Sequence, residues 1–211
     1  MVKFSSENAL KNNKNDIPQA AKESLSHLRP VILVGFMGAG KSSVGRVLAG
    51  QLGCKFVDLD QRIERLEGKS VAEIFRSSGE EKFRRMELDT LETLLSELRN
   101  GRAVIALGGG AFVQEPIAAL IEASGIPTVF LDAEADELLA RCQEESKRRG
   151  SKRPLLETPE NFRQLYETRR PGYLRASFRK ETGGKAVKEI ADELIEALGL
   201  DKGLTGTGEN E

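Results

Sequence analysis

Gly35-Phe-Met-Gly-Ala-Gly-Lys-Ser42 follows directly on the apolar run Val31-Ile32-Leu33-Val34. The octet has the form G-x-x-x-x-G-K-S, and its setting is the one its chemistry needs. A buried strand feeds a glycine-rich loop, and the loop opens a helix marked by Val44, Val47, Leu48 and Leu52. Glycines let backbone N–H groups crowd around a polyphosphate, and the helix N-terminus adds partial positive charge. Lys41 can reach the β- and γ-phosphates, and the Ser42 hydroxyl can ligand Mg²⁺. The loop Gly38, Ala39, Gly40, Lys41, Ser42 and Ser43 is therefore read as a nucleoside triphosphate site.

Outward from this stretch the pattern alternates strand and helix. Strands are expected at Val31–Val34, Lys55–Leu59, Ala103–Leu107 and Thr128–Leu131, with a fifth near Ala176–Lys180, where the residues suit a strand poorly. Ser70-Val-Ala-Glu73 reads as a capping box opening a short helix. A long helix carries Phe83, Glu87, Leu91, Leu94, Leu95 and Leu98 on one stripe and stops at Asn100-Gly101. Another helix runs from Pro116 to Gly125, and one starts near Glu134. Residues 159–175 read as helical, with Pro171-Gly172 expected to kink or break them. Val187, Ile190, Leu194, Ile195 and Leu198 mark a last helix. The sum is an α/β chain: a P-loop NTPase-type, doubly wound, five-stranded parallel sheet with helices on both faces.

One kinase-type domain is expected over 29–200, behind a polar extension at 1–28 and ahead of a polar tail at 201–211. The basic, apolar-poor stretch at about 144–158 interrupts the alternation and reads as a mobile lid. With 32 basic and 33 acidic residues among 211, the net charge is −1, which argues against a dedicated nucleic-acid binder. No run is apolar enough to span a membrane. Two cysteines make neither a disulfide framework nor a metal motif, which fits a reducing, cytoplasmic compartment; a monomer is expected. The sole histidine, His27, precedes the first strand, which argues against histidine catalysis.

Further chemistry gathers at strand ends, where ligands of such folds sit. Asp58-Leu59-Asp60 closes the second strand. In extended chain, residues two apart face one way, so one carboxylate can hold Mg²⁺ while the other accepts a proton from an attacking hydroxyl. Arg84 and Arg85 lie where a helix N-terminus disfavours cations. Either can fork onto a substrate carboxylate or pair with Glu80, Glu81 and Glu87 on a solvated face, the latter being the reading for Arg85. Gly108, Gly109 and Gly110 allow close backbone approach to a ligand. Arg153, at the end of the basic stretch, suits an arginine that closes on the γ-phosphate. Arg169 and Arg170 can supply a second cation.

Taken in order, Phe-Val-Asp-Leu-Asp60, Ile74-Phe-x4-Glu-x2-Phe-Arg-Arg-x-Glu87, Leu107-Gly-Gly-Gly-Ala111, Arg153-Pro-Leu-Leu156 and Arg169-x-Pro-x-Tyr173 join the phosphate loop in a set that resembles shikimate kinase. The resemblance implies transfer of the ATP γ-phosphate to the 3-hydroxyl of shikimate, with Mg²⁺. It implies Ser42 and Asp58 at the magnesium and Asp60 as general base holding the shikimate hydroxyls. Arg84, Gly109 and Arg169 would bind shikimate, the two arginines through its carboxylate. Arg153 would be the lid arginine, and Thr182–Lys185 would lie against adenine. The chain departs from the family pattern in that Ser43 stands for Thr, Gly172 for Leu, Leu174-Arg-Ala-Ser177 for an acidic continuation and Glu181-Thr182 for Asp-Thr, and its lid is long and very basic. A gluconate kinase of the same fold and a non-catalytic ATP-binding module remain the alternative readings.

Overall fold

In the computed structural model, residues 30–98, 101–149 and 158–200 are described. Arg153, His27, the extension at 1–28 and the tail at 201–211 lie outside the described residues. So do 150–157 of the stretch read as a lid.

Five strands form one parallel sheet in the order β2-β3-β1-β4-β5. They are β1 (Val31–Val34), β2 (Lys55–Asp58), β3 (Ala103–Ala106), β4 (Thr128–Asp132) and β5 (Phe178–Glu181). The helices are α1 (Lys41–Gln51), α2 (Leu59–Glu67), α3 (Val71–Glu97), α4 (Glu115–Ser124), α5 (Ala135–Arg149), α6 (Pro159–Tyr173) and α7 (Val187–Leu198). β1 is central because it is apolar on both faces, and all four of its residues are buried. Its partners are β3, with Val31 opposite Val104, and β4, with Leu33 opposite Val129. From β1 the chain crosses to β2 on one side, whereas from β3 it crosses to β4 on the other. Right-handed crossovers in opposite directions put helices on opposite faces and leave a crevice beyond the end of β1. The phosphate loop leaves the sheet at that crevice.

Four expectations change in detail. Asp58 ends β2 and is also the N-cap of α2, its Oδ1 accepting from Gln61 N at 3.2 Å. Asp60 is thus on the first turn of a helix and not in extended chain. The capping box at Ser70 and Glu73 is present, but the short helix it opens continues into the long one. The two meet at Gly79, whose φ of 80° and ψ of 170° only glycine adopts easily. The basic stretch is helical through Arg149, as the end of α5. Pro171 does not break α6, which runs on to Tyr173. A proline this close to the helix end forfeits a single backbone bond.

β5 begins two residues later than expected. Its register, Val129 against Phe178 through Asp132 against Glu181, starts from a hydroxyl clasp: Ser177 N donates to Thr128 Oγ1 at 2.9 Å. It is held at its other end by Asp132. That carboxylate is 2% exposed and accepts from Tyr166 Oη at 2.8 Å, Arg170 Nη2 at 3.1 Å and Arg179 Nε at 2.9 Å. Charge pairing therefore places a strand whose own residues, Phe-Arg-Lys-Glu, supply little burial.

Candidate active site

The phosphate loop is shaped by glycine. Gly38 and Gly40 have φ of 80° and 86°. A Cβ at Gly38 would meet the Leu138 carbonyl at 2.5 Å and Cys142 Sγ at 2.9 Å, so the loop rests directly on α5. Gly40 caps α1 without a side-chain hydrogen bond, and the first turn holds no acid, which leaves that N-terminus open to an anion. Lys41 Nζ donates to the carbonyls of Gly35 (2.8 Å) and Phe36 (2.9 Å), folded over the loop it serves. Ser42 Oγ donates to Asp58 Oδ2 at 2.6 Å, joining the loop to the end of β2. Ala39 is buried, whereas Ser43 is exposed.

Asp60 sits across the crevice. Its Oδ1 is buried and accepts no hydrogen bond among the described residues. A Cβ built on Gly108 would meet this oxygen at 2.5 Å and Glu87 Oε1 at 2.8 Å. Position 108 is therefore glycine because two carboxyl groups pack onto it. Burial pushes Asp60 up to about 6, with Asp58 raising it further and Lys41 opposing. Glu87 is fully buried, and its Oε1 likewise accepts nothing among the described residues. Burial raises it to about 7, with Arg84 pulling the other way and Asp60 adding to the rise. Two acids held this close in low dielectric resist joint ionisation.

Arg84 faces the same point from α3. Its Nη1 donates to Glu87 Oε2 at 2.6 Å, and its Nη2 and Nε to Glu80 Oε1 at 2.8 and 3.2 Å. A Cβ at Gly110 would meet Arg84 Nη2 at 2.6 Å. The aromatic rings of Phe75 and Phe83 flank the guanidinium at 5.8 and 5.6 Å. Arg85 instead turns outward beside exposed Glu81. Arg169, on α6, has its guanidinium 5.9 Å from the centre of the Phe36 ring. Arg170, its neighbour, turns to Asp132 and ties the fold.

The structure thus brings Lys41, Ser42, Asp58, Asp60, Arg84, Gly108–Gly110 and Arg169 around one crevice. Three of its residues were not assigned from sequence. Glu87 reads as one more position on the apolar stripe of α3, and its only signal is a carboxylate at a core position. Tyr173 is fully buried, and its hydroxyl donates to the Gly109 carbonyl. Arg141 donates to the Thr182 carbonyl at 2.8 Å and reaches the Gly38 carbonyl at 3.5 Å, linking the phosphate loop to the segment after β5.

The oxygen donors beside the loop suit a hard divalent cation of the magnesium type. Among the described residues no cluster of three His, Cys, Asp or Glu side chains forms a metal site. A cation held by one hydroxyl, one carboxylate and nucleotide oxygens needs none. Among the same residues no helix is long and apolar enough to cross a membrane.

A family model described as shikimate kinase matches residues 37–199. The chain belongs to the shikimate kinase family. It is 41% identical over 171 residues to a shikimate kinase of Thermus thermophilus, spanning 80% of this chain and 89% of that one. It is also similar to the solved shikimate kinase from Acinetobacter baumannii in complex with shikimate. That match has a TM-score of 0.72 and 34% identity over 83% of this chain and 95% of the other. A gluconokinase from Sinorhizobium meliloti shares the fold at a TM-score of 0.51 with 18% identity. The chain is an ATP-dependent kinase, as its family is.

Proposed function

We propose that this chain transfers the γ-phosphoryl group of ATP to the 3-hydroxyl of shikimate, giving shikimate 3-phosphate and ADP. The observation that carries the reading is the Asp60 carboxylate. It is half-buried, its Oδ1 is enclosed without a hydrogen-bond partner among the described residues, and it stands near the cations an anionic acceptor needs. A base raised to about 6 accepts a hydroxyl proton more readily than an ordinary carboxylate does.

In this reading Asp60 Oδ1 takes the proton of the 3-hydroxyl as that oxygen attacks the γ-phosphorus. The bond to the β-phosphate bridging oxygen breaks, and ADP leaves. Lys41 exchanges the carbonyls of Gly35 and Phe36 for phosphate oxygens and offsets charge as it spreads over them. The N–H groups of Gly38 to Ser43 cradle the same phosphates. Arg84 of α3 and Arg169 of α6 grip the substrate carboxylate, and Gly108–Gly110 let the ring approach the backbone. Ser42 and Asp58 would hold Mg²⁺, which supplies charge neutralisation on the β- and γ-oxygens when bound. Arg153, as the lid arginine, adds a cation on the γ-phosphate. Closure over it excludes water, the competing nucleophile.

The test is ADP release from ATP and Mg²⁺ in a coupled assay, with shikimate, gluconate or nucleoside monophosphates as acceptor. Release that depends on shikimate alone is the expected result. Release that follows gluconate, or no acceptor dependence while ATP still binds, overturns it.

A further inference from the structure

Tyr173 is the largest fully buried side chain among the described residues, and packing does not account for all of it. Its ring stacks on Phe130 of β4 with centroids 5.3 Å apart and planes at 29°. A phenylalanine would fill that space equally well. The hydroxyl remains to be explained, and it donates to the Gly109 carbonyl across 64 residues of sequence. No cis peptide bond occurs among the described residues. In a planar trans peptide the Gly109 C=O and the Gly110 N–H point in opposite directions. Holding that carbonyl toward Tyr173 therefore turns the Gly110 N–H away from Tyr173. Among the described residues that N–H has no acceptor.

Two more contacts belong to the same corner. Arg169 precedes Tyr173 by one helical turn, and its cation lies close enough to counter part of the upward push that burial gives the phenol. Gly172, between them, lets α6 approach: a Cβ there would meet Val113 Cγ1 at 2.8 Å. The last turn of α6 and the triplet after β3 are thus docked by one hydroxyl and one missing side chain.

We propose that the Tyr173 hydroxyl is a positioning group for the acceptor substrate. It fixes the Gly109–Gly110 peptide so that the Gly110 N–H serves as a donor to an oxygen of a polyhydroxylated acid. It also keeps Arg169 in register with that donor for the acid's carboxylate. The assignment rests on the function proposed above.

The variant Tyr173→Phe removes the hydroxyl alone and keeps the ring. With full-length protein, KM and calorimetric Kd for shikimate should rise about tenfold, as expected for a lost hydrogen bond that orients a ligand. The kcat should hold within about twofold, and KM for ATP and Tm should stay near wild type. Combining it with Arg169→Lys should cost less than the sum of the single losses, because both act through one geometry. An unchanged shikimate Kd overturns the assignment while leaving the kinase reading intact. So does a parallel rise in both KM values with a lowered Tm, which marks a merely structural role. Wild-type protein that neither binds nor phosphorylates shikimate overturns the kinase reading and this assignment together.

Discussion

The two walls of the crevice are built on different principles. The phosphate wall is backbone: glycines at positive φ, an open helix N-terminus and one lysine, all within residues 35–43. The acceptor wall is side chain: Asp60, Arg84 and Glu87 packed on a glycine triplet, with Arg169 joining them from α6. The first wall depends on conformation and stores little electrostatic tension. The second depends on crowding two acids and two cations together, with Glu87 fully buried, and burial pushes both acids above their usual range. A wall of the first kind tolerates changes in its surroundings but not in its glycines. A wall of the second kind is sensitive to every charge in it.

The largest break should come from Asp60→Asn. Loss of the base should lower kcat by roughly a thousandfold, within the span of general-base effects, with ATP affinity retained. The same variant should raise Tm at pH 8. The folded-state value of Asp60 lies above that of an unfolded aspartate, so its effect on stability is least unfavourable at low pH. The cost grows as pH rises through about 4 to 6. Asparagine removes that cost, on the order of 3 kcal/mol for a rise from 3.8 to about 6. A Tm that falls at pH 8 would count against the buried-charge account.

Gly38→Ala and Gly108→Ala form a matched pair. The first puts a Cβ at φ of 80° against the Leu138 carbonyl and should weaken ATP binding by about a hundredfold. The second puts a Cβ on Asp60 and Glu87 and should lower kcat/KM for shikimate comparably while sparing ATP. Isothermal titration with each ligand checks both. If either variant impairs the two ligands equally, the walls are not separable.

Gly172→Leu introduces the side chain the family pattern carries at this position. Overlap with Val113 should destabilise the protein by about 1–3 kcal/mol and weaken shikimate binding through α6. Val113→Ala in the same chain should restore much of the loss. Urea denaturation with and without the second change measures it.

The smallest effect is the most diagnostic. Glu80 is largely exposed yet takes two donors of Arg84, the ones a substrate carboxylate would need. Glu80→Gln should lower KM for shikimate a few-fold by removing that competitor. A raised KM would make Glu80 a support of Arg84 and not its rival.

The phosphate wall was legible in sequence because every part of it is contiguous. Local chemistry also located the strands, the capping box at Ser70 and the helix from Pro116. Asp60 was found through a wrong local picture, since α2 starts directly at β2 with no turn residue to mark the change. α2 was missed because only Leu59 and Ile63 of its nine residues are buried. Glu87 was absorbed into an apolar stripe, because periodicity reports which face is inward and not what a carboxylate meets there. Tyr173 and Arg141 act across 64 and 41 residues, and no local pattern carries such pairings. Their roles rest on which strands become neighbours, and sequence alone did not show the order β2-β3-β1-β4-β5.

Asp132 carries a further consequence. One buried carboxylate binds Tyr166 and Arg170 of α6 and Arg179 of β5, so the sheet edge and the helix bearing Arg169 share a single fastening. Slow fluctuations of the two should therefore be synchronous. Backbone amides of β5 and of the second half of α6 should exchange with deuterium as one cooperative unit. Releasing that fastening by Asp132→Asn would let the edge of the sheet and the carboxylate-binding arginine come loose in the same event.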